Sequence, residues 1–229
     1  MKPETYKRIM AESTSYKNFA ACFSDGCTRC SLSVHQEGHP PVLYRGNPES
    51  KIMLIGEAPG KYEQRDGSPF VGPAGILLDK IFSAIGMDTN RDILITNIVY
   101  CRPTAPDGSG KQNYTPKTDQ VARCWPFGEK AISLLDPRII IACGRPALQT
   151  LMGDNKMSMG AYEGRWLDRH GIKVFVMMHP AALLHKENKV PREEFLASKK
   201  KVWEYMQYFR DTYKEKLDGN WSGNQKKCA

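Results

Sequence analysis

The chain has 229 residues, 41% of them apolar and 25% charged, with a formal net charge of +8. That length suits one sizeable α/β domain or two small ones, and the composition is that of an ordinary globular protein. No apolar run approaches the ~18 residues needed to cross a bilayer, so a membrane partner is excluded. The excess of positive charge favours an anionic partner, with nucleic acid the first candidate.

The elements follow in chain order. The opening "MKPETYKRIMAESTSYKNF" is polar and amphipathic and has no signal-peptide apolar core, which leads us to expect a cytoplasmic protein. Four short runs rich in apolar or β-branched residues read as buried strands: "KIMLIG" (51–56), "DILITNIV" (92–99), "RIIIACG" (138–144) and "IKVFVMM" (172–178). Helical patterns lie between and after them. "GPAGILLDKIFSAIG" spaces Ile76, Leu77, Ile81 and Ile85 helically and places Pro73 in a first turn. "KTDQVARCWPFGEKAISLLD" is a second helix with an expected break near Pro126, and "RPALQTLMG" a short third. "REEFLASKKKVWEYMQYFRDTYKEKL" is a long amphipathic helix with Phe195, Leu196, Val202, Trp203, Met206 and Phe209 on its apolar side. Strands alternating with helices predict a three-layer α/β/α fold around a central, mostly parallel four-stranded sheet.

The unusual residues fall at the ends of these strands. "GEAPGKYEQRDGSPFVGPAG" (56–75) follows the first strand, and its glycines and prolines predict an irregular loop with demanding backbone geometry. It has neither the Gly-Lys-Ser/Thr ending of a P-loop nor a G-x-G-x-x-G motif. A tight strand-to-helix connection explains the glycines but not Glu57, Glu63 and Phe70, whose acids and aromatic ring suit a flat polar ligand. Asn97 lies near the end of the second strand, and His179-Pro180 follows the fourth. Open parallel sheets bind ligands outside the carboxyl ends of their strands, so these loops are expected to converge on one crevice.

Seven cysteines in a chain with no export signal are expected to be reduced thiols or metal ligands. Cys27-x2-Cys30 is a metal-style pair, and Cys101 and Cys124 follow at a distance; four such thiols suit either zinc or a four-iron cluster. Cys143 reads as a buried thiol within its strand. Cys22 and Cys228 read as bystanders, with Cys22 a competing ligand.

"GEAPGKYEQRDGSPFVGPAGILL", "LITNIVYCRP", "YEGRWLDRHGIKVF" and "MMHPAALL", in this order and spacing, resemble the iron–sulfur (family 4) branch of the uracil-DNA glycosylase superfamily from about residue 24 to about 210. The resemblance implies one domain over 1–229, with an N-terminal helical, cluster-binding segment and a C-terminal amphipathic helix. It implies a 4Fe-4S cluster held by Cys27, Cys30, Cys101 and Cys124, and hydrolysis of the N-glycosidic bond of uracil in single- or double-stranded DNA by a monomer. Phe70 would stack on the flipped base, Asn97 would read its amide edge and His179 would face a base carbonyl. Gly56 and Ala58 would line the pocket, and Glu57 and Glu63 would hold the family's acidic positions. General chemistry agrees: a base must leave the stack before an enzyme reaches its glycosidic bond, an aromatic gives it a platform, and a donor stabilises the departing anion.

Some positions depart from the pattern. Ala58 stands where the best-known uracil-DNA glycosylases carry a water-activating Asp, which family 4 also lacks; the carboxylate role falls to Glu57 or Glu63, Glu63 alternatively guarding against the thymine methyl. The segment between Cys101 and Cys124 is longer than in most family 4 members and resembles the DNA-crosslinking branch, in which a loop histidine attacks the sugar. Here Asn113 occupies that place, and a neutral amide is a poor nucleophile, so turnover without a covalent adduct is expected. The expected activity is monofunctional release of uracil or a related base, leaving an abasic site. The alternatives are a binding module that has lost turnover, or a glycosylase whose 102–123 loop redirects it to another modified base. Lys61, Arg65, Lys111, Lys117, His185 and Lys186 are candidate phosphate contacts.

Overall fold

The structure, a computed structural model, describes residues 15–21, 23, 27–32, 40–104, 113–187 and 189–218. Cys22, Lys111 and Cys228 lie outside them.

Four runs of apolar residues form the centre of the sheet: β2 (Ile52–Gly56), β3 (Leu94–Asn97), β4 (Ile139–Cys143) and β6 (Ile172–Met177). All three pairings among them are parallel, in the order β3-β2-β4-β6. Two short antiparallel strands extend the edges, β1 (Arg45–Gly46) beside β3 and β5 (Trp166–Arg169) beside β6, so the sheet has six strands rather than four. Both were hidden for local reasons. Two residues carry no periodicity, and an edge strand with polar Asp168 and Arg169 resembles a turn.

Alternate residues of the central strands enter opposite cores, the signature of a sheet covered on both faces. Met53, Ile55, Ile140, Ala142, Val174 and Val176 face one core, while Ile52, Leu54, Ile139, Ile141, Phe175 and Met177 face the other. The first core is covered by α1 (Tyr16–Ala21), α4 (Thr118–Leu135) and α5 (Arg145–Met152), where Phe23 meets Phe127 edge-on at 4.8 Å between ring centres. The second is covered by α3 (Pro73–Ala84), α7 (Pro180–Glu187) and α8 (Arg192–Leu217). Two further short helices, α2 (Lys61–Asp66) and α6 (Met159–Tyr162), lie in connections.

Two local expectations need correction. The glycine-rich loop is not irregular throughout, because α2 forms inside it and closes on Gly67 in the left-handed region. Also, α4 runs through Pro126 without a break. Proline there removes one backbone donor, but Phe127, Ala131 and Ile132 beyond it are buried in the first core and hold the helix to the sheet.

The connections leaving β2 and β4, neighbours in the sheet, go to opposite faces: α3 follows β2 on the second core, and α5 follows β4 on the first. Such a switch point opens a crevice at the carboxyl ends of the strands. Gly56, Asn97, Gly144 and His179 all lie there.

The second core centres on Phe209, fully buried between Trp166, Phe175 and Tyr213, with ring centres 5.6, 4.9 and 5.5 Å away. Phe209→Ala should destabilise the protein by about 3–5 kcal/mol. Urea unfolding checks this: the midpoint should fall with little change in slope, whereas Lys200→Ala on the exposed face of α8 should leave it in place.

Candidate active site

The site begins with a strand register. Gly56 and Asn97 are direct partners at the ends of β2 and β3, and the ladder continues beyond them through Ile98 N–H to Gly56 O at 3.0 Å and Val99 N–H to Glu57 O at 3.2 Å. This places the Asn97 side chain beside Gly56. A Cβ on Gly56 would lie 2.5 Å from Phe70 Cζ and 2.6 Å from Asn97 Oδ1, closer than real Cβ contacts come. Phe70 and Asn97 therefore meet across the floor that a missing side chain leaves open.

Phe70 is held there at a cost. It is a bulky residue in the left-handed region, φ 56°, a conformation that persists only where its surroundings enforce it. The next helix provides part of that enforcement: Gly75 on α3 has no Cβ, and one would collide with the Phe70 carbonyl. The Phe70 ring stacks on His179, with ring centres 5.4 Å apart and planes 30° apart.

Asn97 is 2% exposed, and its Oδ1 meets no hydrogen-bond donor among the described residues. An unsatisfied buried acceptor costs about 1–3 kcal/mol, so its presence in a crevice points to a donor on a ligand.

His179 is half-buried, and burial pulls its pKa down to about 4. The Ala181 N–H donates to Nδ1 at 3.2 Å. A ring that accepts at Nδ1 while neutral carries its proton on Nε2, so His179 is a neutral donor at physiological pH.

The two acids have different surroundings. Glu57 is half-buried, and burial raises its pKa; a hydrogen bond from the Thr115 side chain and the charge of Arg145 at the start of α5 act against that rise. Glu63 bridges the ends of its own loop, with Oε2 accepting from Gly60 N–H at 3.0 Å and Oε1 from Gly72 N–H at 2.8 Å. Both of its oxygens are engaged by backbone, an arrangement that clasps the loop around α2 and sets the approach to Phe70. Ala58 packs partly buried against the first core.

Cys27, Cys30, Cys101 and Cys124 line one cavity, with Arg29 and Arg123 on its wall. Cys101 lies four residues past Asn97 and Cys124 lies on α4; burial above all, with the nearby thiols of Cys124, Cys27 and Cys30 adding to it, raises the Cys101 pKa. Among the described residues, no three His, Cys, Asp or Glu side chains are gathered tightly enough to hold a single metal ion. Cys143 is apart, fully buried in β4 with its Sγ 4.0 Å from Met178 O.

Of the candidate phosphate contacts, Lys61 and Lys117 are exposed. Arg65 is paired with Asp66 at 2.5 Å, and Lys186 donates to Ser198 Oγ at 3.0 Å. Thr115 and Arg145 were not anticipated at the site. Only Arg145 left a signal in the sequence, since it opens a helix directly after a strand on the crevice edge.

Comparison with known proteins gives the family. Residues 43–207 match the family described as the uracil DNA glycosylase superfamily. The chain is 34% identical over 179 residues to a type-4 uracil-DNA glycosylase of Sulfurisphaera tokodaii, covering 74% of this chain and 77% of that protein. It is 35% identical over 178 residues to the type-4 enzyme of Saccharolobus solfataricus (74% and 78% covered), and 36% identical over 168 residues to that of Pyrobaculum aerophilum (70% and 80% covered). With a crevice of this geometry and relatives of this extent, the chain belongs to the uracil DNA glycosylase superfamily, among its type-4 members.

Proposed function

We propose that this protein is a monofunctional DNA glycosylase that takes uracil into the crevice between β2, β3 and β6 and hydrolyses its N-glycosidic bond. The observation that carries the reading is the unpartnered Asn97 Oδ1 beside Phe70. Uracil presents N3–H next to O4, so an amide can accept from the first and donate to the second. Cytosine presents the reverse pattern, with an unprotonated N3 where Oδ1 needs a donor. Phe70 supplies a face for the extruded base, and extrusion is required because the bond is inaccessible in a stacked strand.

Cleavage leaves electrons on the base and positive charge on the sugar. His179, neutral with its proton on Nε2, donates to the base carbonyl as negative charge grows there, and it needs no prior protonation to do so. Glu57 supplies the carboxylate that faces the sugar cation and orients water, and Arg145 helps to keep it ionised. Glu63 shapes the loop rather than reacting, because both of its oxygens are taken by backbone amides. No Schiff-base lysine is involved, so the strand stays uncut at an abasic site.

The four cysteines fit a 4Fe-4S cluster. Four thiols around one cavity match a body in which each of four irons takes one thiolate, and Arg29 and Arg123 offset the negative charge of such a group. The cluster would supply cross-links among the N-terminal segment, the exit of β3 and α4.

Two outcomes are expected. Incubation with a uracil-containing oligonucleotide should release free uracil and leave an alkali-labile site, with no release from an undamaged strand, and His179→Ala should slow single-turnover release by ~10²-fold or more. Wild-type protein that binds the oligonucleotide without releasing base would instead identify a binding module. Protein prepared without oxygen should contain about four irons per chain. Cys101→Ser should lose them and unfold more easily, while Cys143→Ser should keep them; stoichiometric zinc without iron would contradict the cluster.

A further inference from the structure

The direction in which the His179 ring points follows from the backbone on either side of it. On the C-terminal side the opening of α7 holds it: Ala181 N–H donates to Nδ1, and Ala182 N–H donates to His179 O at 2.9 Å. On the N-terminal side lies the Met178 peptide, one residue beyond the end of β6 and so outside the sheet ladder. Its polar groups need partners of their own. The Met178 N–H donates to the Tyr205 hydroxyl on α8 at 3.3 Å, and the Met178 carbonyl lies 4.0 Å from Cys143 Sγ. Beside them Gly144, with φ 95°, leaves the room that His179 takes: a Cβ on it would lie 3.1 Å from the His179 Cβ.

The Tyr205 hydroxyl reaches that place because of the stretch "EGR" at 163–165. Gly164 has φ 78° and no Cβ; one would lie 2.8 Å from the Tyr205 Cβ, so the missing side chain lets α8 come this close. Gly164 N–H donates to Val176 O at 2.8 Å and Val176 N–H to Arg165 O at 3.1 Å, which ties the turn to β6 two residues before Met178. Glu163, its side chain almost wholly buried, pairs with Lys201 Nζ at 2.6 Å, one helical turn before Tyr205. Tyr205 itself is buried, with its ring centre 6.1 Å from that of Phe175. Burial above all, with the charge of Glu163 adding to it, holds the Tyr205 pKa well above its ordinary value. The group is therefore a neutral hydroxyl, able to accept from the peptide.

We infer that Tyr205 is a positioning residue for His179: through the Met178 peptide, its hydroxyl sets the backbone from which the imidazole donates to the base carbonyl. The inference rests on the role given to His179 in the reaction proposed above. It gives α8 and the turn before β5 a part in catalysis that needs no contact with the substrate.

Tyr205→Phe keeps the ring and removes the oxygen that the peptide bonds to. Single-turnover uracil release at increasing protein concentration separates rate from affinity. The variant should release uracil about tenfold more slowly at saturation, with the half-saturating concentration within about twofold of wild type, because a slightly misplaced donor costs rate rather than binding. A double-mutant comparison supplies the readout that general loosening would not move. In a His179→Ala background, Tyr205→Phe should add no further loss, staying within about twofold of His179→Ala alone. A comparable loss in both backgrounds means a merely structural role and overturns the inference, as does a wild-type saturating rate for Tyr205→Phe. If His179→Ala itself releases uracil at the wild-type rate, the role given to His179 fails and the inference falls with it. A slow His179→Ala beside an unimpaired Tyr205→Phe refutes the inference alone. Tyr205→Met, which also lacks the hydroxyl, replaces the phenylalanine variant should that one not fold, with the urea midpoint as the check on folding.

Discussion

The candidate site depends on the absence of one side chain, at Gly56. The register of β2 against β3 puts Asn97 beside that residue, and the left-handed turn at Phe70 brings an aromatic ring over the same spot. Any side chain there would occupy the space in which Phe70 and Asn97 approach each other. The geometry needed to hold a flat base, with a ring against its face and an amide along its edge, follows from sheet register, one empty position and one strained turn. The surroundings share the cost of that turn: Gly75 admits the Phe70 carbonyl, and Glu63 ties the two ends of the loop through Gly60 and Gly72.

The same strand exit serves two purposes. Asn97 ends β3, and Cys101 follows four residues later at the cavity lined by the other three cysteines. Arg102 then reaches both α2, through Gln64, and the long 102–123 segment, through Asn113. Asn97, Cys101 of the cysteine cavity, and Arg102, which contacts the acid-bearing loop, thus lie within six consecutive residues, 97–102. On the proposed reading, a cluster in this cavity would need no part in electron transfer to matter for catalysis, because its ligands would fix the backbone from which Asn97 projects.

Much of this was legible in the sequence. The four central strands showed as continuous apolar runs because each is buried on both faces, and once they were placed, Glu57, Asn97 and His179 fell at their carboxyl ends. The edge strands were not legible. Arg45–Gly46 is too short to carry a pattern, and Trp166–Arg169 alternates only in part. The helix at 61–66 was masked by the glycines that flank it and depends on Glu63 reaching back to Gly60, a contact visible only once the loop is folded. Thr115 was invisible for a different reason: 58 positions separate it from Glu57, and nothing local marks it.

The central claim is that the Asn97 amide reads the base edge from beside Gly56. The most direct test compares single-turnover release of uracil and of cytosine from otherwise identical oligonucleotides by wild-type protein and Asn97→Asp. The substitution keeps the shape of the side chain but turns its donor into an acceptor. The account predicts that the ratio of uracil to cytosine release falls by roughly tenfold or more, the scale of about 1–3 kcal/mol expected for an edge read by two hydrogen bonds. A ratio equal to that of the wild type would contradict it and place the reading of the base elsewhere in the crevice.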